Sequence, residues 1–598
     1  MKRFILIIII SILALSLSAC GDGGSDTGTL YTPDGIDAID TSGMDFTFTE
    51  RDISAEMSAS VVNISFRENG VSADNSVEIY SDGIKITNEG TYILSGTGNN
   101  MLITVDAPES KVQLVLDNLT LNNTQGPVIY IKSGKKVFIT LADGSENTLS
   151  DGTGYDYTDD GSVLDGAIFS KADLTINGKG KLTVKGNYKH GIVSKDDLII
   201  VNAALDISAL SCAVNGKDCV KIKDAALTLS AGTDGIRSDN EEDVSRGFVY
   251  IEGGDFLISS GSDGIQAHTL LKIADGDFKI TSGQADLSDS GKCLKSNTDI
   301  NILGGVYEIS GKDDGVHANG SIAISKGDFT IRTNDDGIHA DKDLEISGGK
   351  INIVYSYEGL EAQRILINGG NISILATDDG MNAAGGNDSS GMGGPFGGDR
   401  FGSDSNAEIV ISDGYIVVDA YGDGIDSNGS IVINGGITLV SGPTNGGNGS
   451  LDYARSASVY GGTFIATGAN GMAQGMSDAT NQGAIFTATG TQNEGTSIGI
   501  YDKSGNILAS FTPKKAYQCA VITAPNINKG ETYYIVCGAT VSDADGNGYA
   551  SNTTFTGGTR VATIDMDSLL YGSAGGMGGM GGGPGGMHGG GMGGKPPR

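Results

Sequence analysis

Residues 336–357 read Asp-Gly-Ile-His-Ala-Asp-Lys-Asp-Leu-Glu-Ile-Ser-Gly-Gly-Lys-Ile-Asn-Ile-Val-Tyr-Ser-Tyr. Within them Ile338 and Ala340 flank His339, Leu344 and Ile346 flank Glu345, and Ile351 and Ile353 flank Asn352. Each run has period two, the strand signature, because successive side chains of an extended chain point to opposite faces. The runs are short, rich in β-branched residues and interrupted by Gly, Asp and Asn, which are turn residues. Three short strands therefore fit into one 22-residue unit.

The unit recurs. Its opening phrase is an acid, Gly, an aliphatic, a variable residue and a small residue. It returns as Asp234-Gly-Ile-Arg-Ser, Asp263-Gly-Ile-Gln-Ala, Asp314-Gly-Val-His-Ala, Glu358-Gly-Leu-Glu-Ala, Asp379-Gly-Met-Asn-Ala and Asp423-Gly-Ile-Asp-Ser. With the copy at Asp336, the steps between anchors are 29, 51, 22, 22, 21 and 44, and the 51 splits into 29 and 22 at the degenerate copy Lys292-Cys-Leu-Lys-Ser. Weaker copies at His190-Gly-Ile-Val-Ser and Cys212-Ala-Val-Asn-Gly extend the series backwards in 22-residue steps. No single coil can bury its own apolar face, so a fixed short period implies stacked coils whose aliphatics fill a common interior.

The chain is accordingly expected to be all-β: a parallel β-helix of about 22 residues per coil over residues 75–470, then a small antiparallel β module over 480–570. A chain of 598 residues would ordinarily be several domains, but a solenoid core grows in one dimension. The 95 Gly and the absence of Trp agree with a structure made of corners and short strands. Gly is expected to supply the positive-φ corners. Ser497 to Leu508 reads as a hairpin turning through Lys503-Ser504-Gly505.

Residues 1–20 are read as a secretion signal. Lys2 and Arg3 form the basic segment, Phe4 to Leu17 the apolar segment, and Leu17-Ser18-Ala19-Cys20 resembles the bacterial lipoprotein cleavage box. By that resemblance Cys20 becomes a lipidated N-terminus. The protein is then held by acyl chains on the outer face of a bacterial membrane, at the cell surface, with no other membrane contact. Residues 21–74 form a tether and N-terminal segment. Loss of Lys2 and Arg3 takes the net charge from −34 to −36. Such a surface excludes nucleic acid as a partner and favours divalent cations. The chain is expected to be a monomer. Of the five later Cys, Cys519 and Cys537 lie in apolar runs that could pair as a hairpin and so could form a disulfide. Cys212, Cys219 and Cys293 show no metal spacing.

An ordered set of phrases sharpens the fold. Gly90-Thr-Tyr-Ile-Leu-Ser-Gly96, Val112-Gln-Leu-Val-Leu-Asp-Asn118, Glu146-Asn-Thr-Leu149, Ala167-Ile-Phe-Ser-Lys-Ala-Asp-Leu-Thr-Ile-Asn-Gly178 and Gly191-Ile-Val-Ser-Lys-Asp-Asp-Leu198 precede the Asp-Gly-Ile coils. Together they resemble the clostridial calcium-binding carbohydrate-binding family, whose fold is a right-handed β-helix similar to that of pectate lyases. The resemblance covers about residues 75–470. It implies bound Ca²⁺ and affinity for cellulose and for acidic polysaccharides such as polygalacturonate.

Equivalent residues on neighbouring coils lie about 4.8 Å apart. Asp314, Asp336, Glu358 and Asp379 then form a column, with Asp313, Asp335 and Asp378 beside it. Like charges at about 5 Å cost on the order of 3 kcal/mol per neighbour at an effective dielectric near 20. Protonation, capping of backbone amides, or hard cations between the acids would relieve this. An oxygen-only ligand set favours Ca²⁺, and Asp313, Asp314, Asp335, Asp336, Glu358, Glu361, Asp378 and Asp379 are its candidate ligands. Asp before Gly is also ordinary turn chemistry, with the side chain bonding the backbone two residues on.

The variable residue of the phrase should face outward. Its column reads Asn215, Arg237, Gln266, Lys295, His317, His339, Glu361, Asn382 and Asp426, a polar strip fit for an extended polysaccharide. Arg237, Gln266, Lys295, His317, His339, Tyr357 and Asn382 are the candidate carbohydrate contacts. His317 and His339 are expected at the surface, since no third ligand has zinc spacing. Tyr355, Tyr357 and Tyr421 could stack on sugar rings.

Three functions follow as expectations. The first is non-catalytic, calcium-dependent polysaccharide binding. The second is a polysaccharide lyase working by β-elimination, with Arg364 or Lys295 as the base. The third is an adhesin or scaffold whose Ca²⁺ is structural only. The Gly/Met-rich insertion 385–404 reads as a mobile loop and the Gly/Met-rich tail 573–598 as disordered linker.

Overall fold

The structure is a computed structural model describing residues 30–33, 35–57, 61–67, 70–73, 77–284, 291–384 and 406–572. The leader with Cys20, the 385–404 insertion and the tail from residue 573 lie outside the described residues. The described chain is nearly all β, with a large, mostly parallel sheet and one four-residue helix, Glu50–Ile53.

Each repeat contributes one strand to each of three parallel ladders, and each strand pairs with its counterpart in the next repeat. In the first ladder Ile236–Ser238 pairs with Ile265–Ala267, that with Leu294–Ser296, and that with Val316–Ala318. The second runs through Phe248–Ile251, Leu270–Ile273, Asp299–Ile302 and Ile322–Ile324. The third runs through Gly254–Ser260, Asp277–Thr281, Val306–Gly311 and Asp328–Thr333. In the unit that begins at Asp336 the alternation is borne out, since Ile338, Ala340, Leu344, Ile346, Ile351 and Ile353 are all at most 1% exposed. They belong to one apolar cluster fed by all three ladders from Ile64 to Val521. Full burial of each such side chain is worth about 1.5–3 kcal/mol. Within the cluster the rings of Phe256, Phe278, Tyr307 and Phe329 stack from repeat to repeat, at 4.6, 4.9 and 4.2 Å between centroids.

The glycines fall into two columns with different causes. Those opening the third-ladder strands do have positive φ, as at Gly327 (+132°) and Gly349 (+90°), a conformation that Gly adopts at little cost. The Gly of the acid-Gly phrase does not. At Gly337 a Cβ would lie 2.6 Å from the carbonyl oxygen of Gly359, one repeat on. The Gly337 N–H donates to the Glu358 carbonyl at 3.0 Å and the Ile338 N–H to the Gly359 carbonyl at 3.2 Å. These residues are Gly because backbone passes where a side chain would be.

Residues 30–33 and 35–57, expected to belong to the tether and N-terminal segment, instead lie along the outer face of the second ladder. The Tyr31 hydroxyl donates to Glu408 Oε1 at 2.6 Å, and Asn434 donates to the Tyr31 carbonyl at 2.8 Å. Phe46 packs on Phe248 and Tyr250, and Lys221 donates to the Thr47 carbonyl at 2.9 Å. Asp52, fully buried, binds Lys136 and the Thr175 hydroxyl.

After the last third-ladder strand, Thr463–Gly468, pairing turns antiparallel through Tyr517–Thr523 and Ala484–Gln492. A separate four-stranded antiparallel sheet holds Ile507–Phe511, Ile498–Asp502, Thr532–Val541 and Phe555–Asp565 in that order, including the expected hairpin. Cys519 and Cys537 lie in different sheets and are both free thiols. The hairpin that would have allowed a disulfide between them does not form.

Gly337→Ala forces the neighbouring repeat apart and is expected to cost about 1–3 kcal/mol, the range for overpacking. At Gly253 an added Cβ meets only Asp224 Oδ1, at 3.6 Å, and Gly253→Ala should stay within ~0.5 kcal/mol. Urea midpoints of the two variants check this; equal midpoints would refute the close-approach account.

Candidate functional site

The acid column is built into the first ladder. In Asp234, Asp263, Asp314, Asp336, Asp379 and Asp423 one carboxylate oxygen is occupied by the amide of the equivalent residue in the next repeat. Asp314 Oδ1 accepts the Asp336 N–H at 3.0 Å and Asp336 Oδ1 the Glu358 N–H at 3.2 Å. Asp263 Oδ1 accepts the Lys292 N–H at 3.0 Å, and Asp379 Oδ1 and Asp423 Oδ1 accept from Asp423 and Gly449. The side chain therefore reaches across repeats rather than two residues along the chain. A hydrogen bond to a charged group is worth about 1.5–3 kcal/mol, so the column clamps repeat to repeat.

The variable column is in register as expected, from Asn215 through Arg237, Gln266, Lys295, His317, His339, Glu361 and Asn382 to Asp426. It is not the open strip that alternation suggests. His317, His339 and Glu361 are 3%, 0% and 1% exposed, and Asn215 and Asn382 are also buried; Arg237, Gln266, Lys295 and Asp426 are half-buried. The acid three residues earlier folds back on its own variable residue. Asp314 lies 2.8 Å from His317 Nδ1, Asp336 3.3 Å from His339 Nδ1 and Asp234 3.3 Å from Arg237, while Asp263 reaches Lys295 of the next repeat, whose own phrase has Lys292 in the acid's place, at 3.2 Å. The two columns interlock, so the surface role expected for His317 and His339 is corrected.

The chain's own cations serve one half of the column. Lys292 stands where other repeats carry an acid, and its Nζ lies 2.8 Å from Asp313 and 3.0 Å from Asp314. Burial alone would raise Asp314, but the His317 hydrogen bond and Lys292 outweigh it and hold the carboxyl well below the usual range. Burial alone would lower His339, but the nearby carboxylates of Asp336 and Asp341 and the charge of Glu361 push the imidazole up to about 11. Glu361 itself rises to about 9, through burial first and Asp336 second.

The other half has no such partner. None of Glu358, Asp379, Asp423 and Asp426 pairs with a described Lys, Arg or His. Burial, then the charges of Glu361 and Asp336, push Glu358 far up. Burial, then Asp423, Asp378 and Asp426, do the same to Asp379. Asp423 and Asp426 rise to about 7, burial being the largest cause of each. Oxygens of Asp379, Asp423 and Asp426 converge within 4.8 Å of one another, as do those of Asp313, Asp314 and Asp335. Asn382 Oδ1 and Glu358 Oε2 are buried beside this region without a hydrogen-bond partner.

The remaining candidates separate. Arg364 lies in the second ladder, where pairing resumes at Asp343–Arg364 after a register shift, and Asp343 holds its guanidinium at 2.7 and 3.1 Å. It does not share a column with Glu361. Tyr357 is half-buried, and its phenol is raised first by a hydrogen bond to Asp378. The rings of Tyr355 and Tyr421 lie under Arg332 and Lys515. Among the described residues, two accessible surfaces stand out. A polar cleft of 260 Å³ is lined by Arg237, Asp239, Glu241, Gln266, His268 and Asn297. The outer face of the third ladder presents Thr228, Asp255, Asp277 and Lys279 around Leu257 and Val306, which are about half exposed. That face escaped the sequence reading, although Leu257 and Val306 stand at outward positions of their strands.

The model of a carbohydrate-binding domain-containing protein family matches residues 80–337 and 318–394. The chain belongs to this family. A carbohydrate-binding domain-containing protein of Acetivibrio thermocellus is 39% identical over 150 residues, which is 24% of this chain and 52% of the relative. The chain thus spans about half the length of that curated relative. A solved structure of the polysaccharide lyase-like protein from C. thermocellum, a gadolinium derivative, is 34% identical, covering 39% of this chain and 94% of that one with a TM-score of 0.36.

The charge pattern has a thermodynamic consequence. Asp423 and Asp426 have folded pKa values near 7, above the ordinary Asp value near 3.9. The folded state therefore binds more protons than the unfolded one between about pH 4 and 7, so stability falls as pH rises through that window. In chelator, the melting temperature should drop from pH 5 to pH 8, and Asp423→Asn with Asp426→Asn should flatten the drop. Calorimetry in EDTA tests this, and an unchanged slope in the double variant would contradict it.

Proposed function

We propose that the chain binds polysaccharide in a calcium-dependent manner, without turnover, at the outer surface of a bacterial cell. The observation that carries the calcium reading is the unneutralised acid half of the column. Asp379, Asp423 and Asp426 converge there and pair with no cationic side chain among the described residues, and Asn382 Oδ1 stands unpartnered nearby. An all-oxygen donor set of this kind suits Ca²⁺. The residues that would hold the ion are Asp379, Asp423 and Asp426, with Asp378, Glu358 and Asn382 beside them. The ion would supply positive charge that also attracts a uronate carboxylate.

Family membership supports a polysaccharide partner, with cellulose and acidic glycans such as polygalacturonate as the class. The polar cleft at Arg237, Gln266 and Asn297 offers amides and a guanidinium to hydroxyls. The three ladders are read as the faces of a right-handed parallel β-helix. The Leu17–Cys20 box supports a lipid anchor as the only membrane contact. Both candidate bases of a lyase are engaged, Arg364 by Asp343 and Lys295 by Asp263, so β-elimination gains no support from geometry.

Co-sedimentation of the chain with polygalacturonate should require Ca²⁺ and be abolished by EDTA. Asp423→Asn with Asp379→Asn should weaken it at least tenfold without unfolding the chain. No unsaturated product should absorb in the ultraviolet. Binding indifferent to EDTA would refute calcium dependence, and steady product formation would replace binding by lyase chemistry.

A further inference from the structure

Glu361 and His339 lie at the midpoint of the interlocked columns, one repeat apart and sealed from solvent. Neither ring nitrogen of His339 makes a hydrogen bond, and neither does Glu361 Oε2. This is unusual for polar atoms at 0% and 1% exposure, since leaving such groups unsatisfied costs about 1–3 kcal/mol each. They are not short of neighbours. His339 Nδ1 faces Asp336 Oδ2 at 3.3 Å, Glu361 Oε2 at 3.4 Å and Asp314 Oδ2 at 4.0 Å.

These separations are long for hydrogen bonds, whose N···O distances are about 2.7–3.2 Å. They suit donors arranged around an ion. Ligands at about 2.0–2.2 Å from a four-coordinate metal stand roughly 3.3–3.6 Å from each other by tetrahedral geometry, as Asp336 and Glu361 stand from His339 Nδ1. We propose that His339 Nδ1, Asp336 Oδ2 and Glu361 Oε2, which lie within 4.8 Å of one another, bind a divalent transition metal of the Zn²⁺ class, with Asp314 Oδ2, 4.0 Å from His339 Nδ1, drawn in as the fourth donor.

The surroundings match what such a site needs. Asp314 and Asp336 each commit Oδ1 to the amide of the next repeat, which fixes the direction of Oδ2; that of Asp314 also meets Lys292 Nζ at 3.0 Å. His317 Nδ1 sits 2.8 Å from Asp314 Oδ2 and holds it in place; its own Nε2 is held 2.9 Å from Asn319 Oδ1. On the far side of the His339 ring, Nε2 faces Asp341 Oδ1 at 3.4 Å, where a metal-ligating histidine ordinarily has an outer carboxylate. An imidazole among the donors separates this site from the all-oxygen set at Asp379, Asp423 and Asp426, and selects borderline metals over Ca²⁺. The proposal is therefore independent of the calcium reading. The competing state is the same cluster closed by a proton on His339 Nδ1, and metal and proton exclude each other there.

The test uses the full chain, stripped with chelator and titrated with Co²⁺ as an optical probe and with Zn²⁺ in calorimetry. The expected result is one Co²⁺ per chain with the visible absorption of a four-coordinate N/O site, displaced by Zn²⁺ and unaffected by excess Ca²⁺. Glu361→Gln and His339→Gln should each weaken it at least tenfold. His317→Gln, a change in the positioning residue, should weaken it less while altering the Co²⁺ spectrum, and His190→Gln should leave it intact. Circular dichroism confirms that each variant scored is folded, so Glu361→Gln decides if His339→Gln is not. The proposal is overturned if the folded chain takes up no Co²⁺, if uptake survives both ligand changes, or if nitrogen NMR shows His339 still doubly protonated in saturating Zn²⁺.

Discussion

The bond from a carboxylate oxygen in one repeat to the backbone amide of the next is what the first ladder depends on. A β-strand of three residues, such as Val316–Ala318, makes few ladder bonds, and the corner before it has backbone amides that need partners. The acid supplies an acceptor at that corner, as Asp314 does for Asp336 and Asp336 for Glu358. The Gly that follows must lack a Cβ because the next repeat's carbonyl occupies its place. Acid and Gly thus form one device, since the acid draws the next repeat in and the Gly lets it approach. The same device brings like charges into a buried column, and the rest of the site is an answer to that problem.

Much of this was legible in the sequence. Period-two runs identified three strands per repeat because a sheet with one buried face must alternate. The anchor spacing placed Asp314, Asp336, Glu358 and Asp379 in one column because a parallel ladder preserves register. What alternation could not show is burial on the outer side. An outward residue is exposed only if nothing folds over it, and Asp314 and Asp336 fold over His317 and His339. That contact joins residues three apart across a corner, where neither strand nor helix periodicity applies.

Lys292 and residues 30–57 were illegible for other reasons. Lys292 appeared as a damaged copy of the phrase, whereas its charge repays the loss of an acid by binding Asp313 and Asp314 in the following repeat. The N-terminal segment has a linker's composition, and its apolar residues are too scattered to show a period. Tyr31 and Ile36 meet the cluster of Leu366, Val410 and Val432, while Ile39, Met44 and Phe46 meet that of Cys219, Phe248 and Leu270. The spacing of these contacts is set by the ladder beneath them, so the segment's pattern makes sense only once the repeats are stacked.

The column then divides by the means of neutralisation. From Lys292 to His339 the positive charge is covalent, carried by side chains that cannot leave, and Asp314 stays ionised although it is fully buried. From Glu358 to Asp426 no such charge exists among the described residues, and burial with mutual repulsion pushes the acids toward their protonated forms. A proton is a poor occupant near pH 7 for groups whose pKa values lie near 7, because it is lost with little change in conditions. A divalent ion removes the same repulsion and remains bound as pH rises. One half of the ladder is therefore self-contained while the other is responsive to ions, although both are built from one phrase. The difference rests on the residues found at three positions: Lys rather than an acid at 292, and an acid rather than His at 361 and 426.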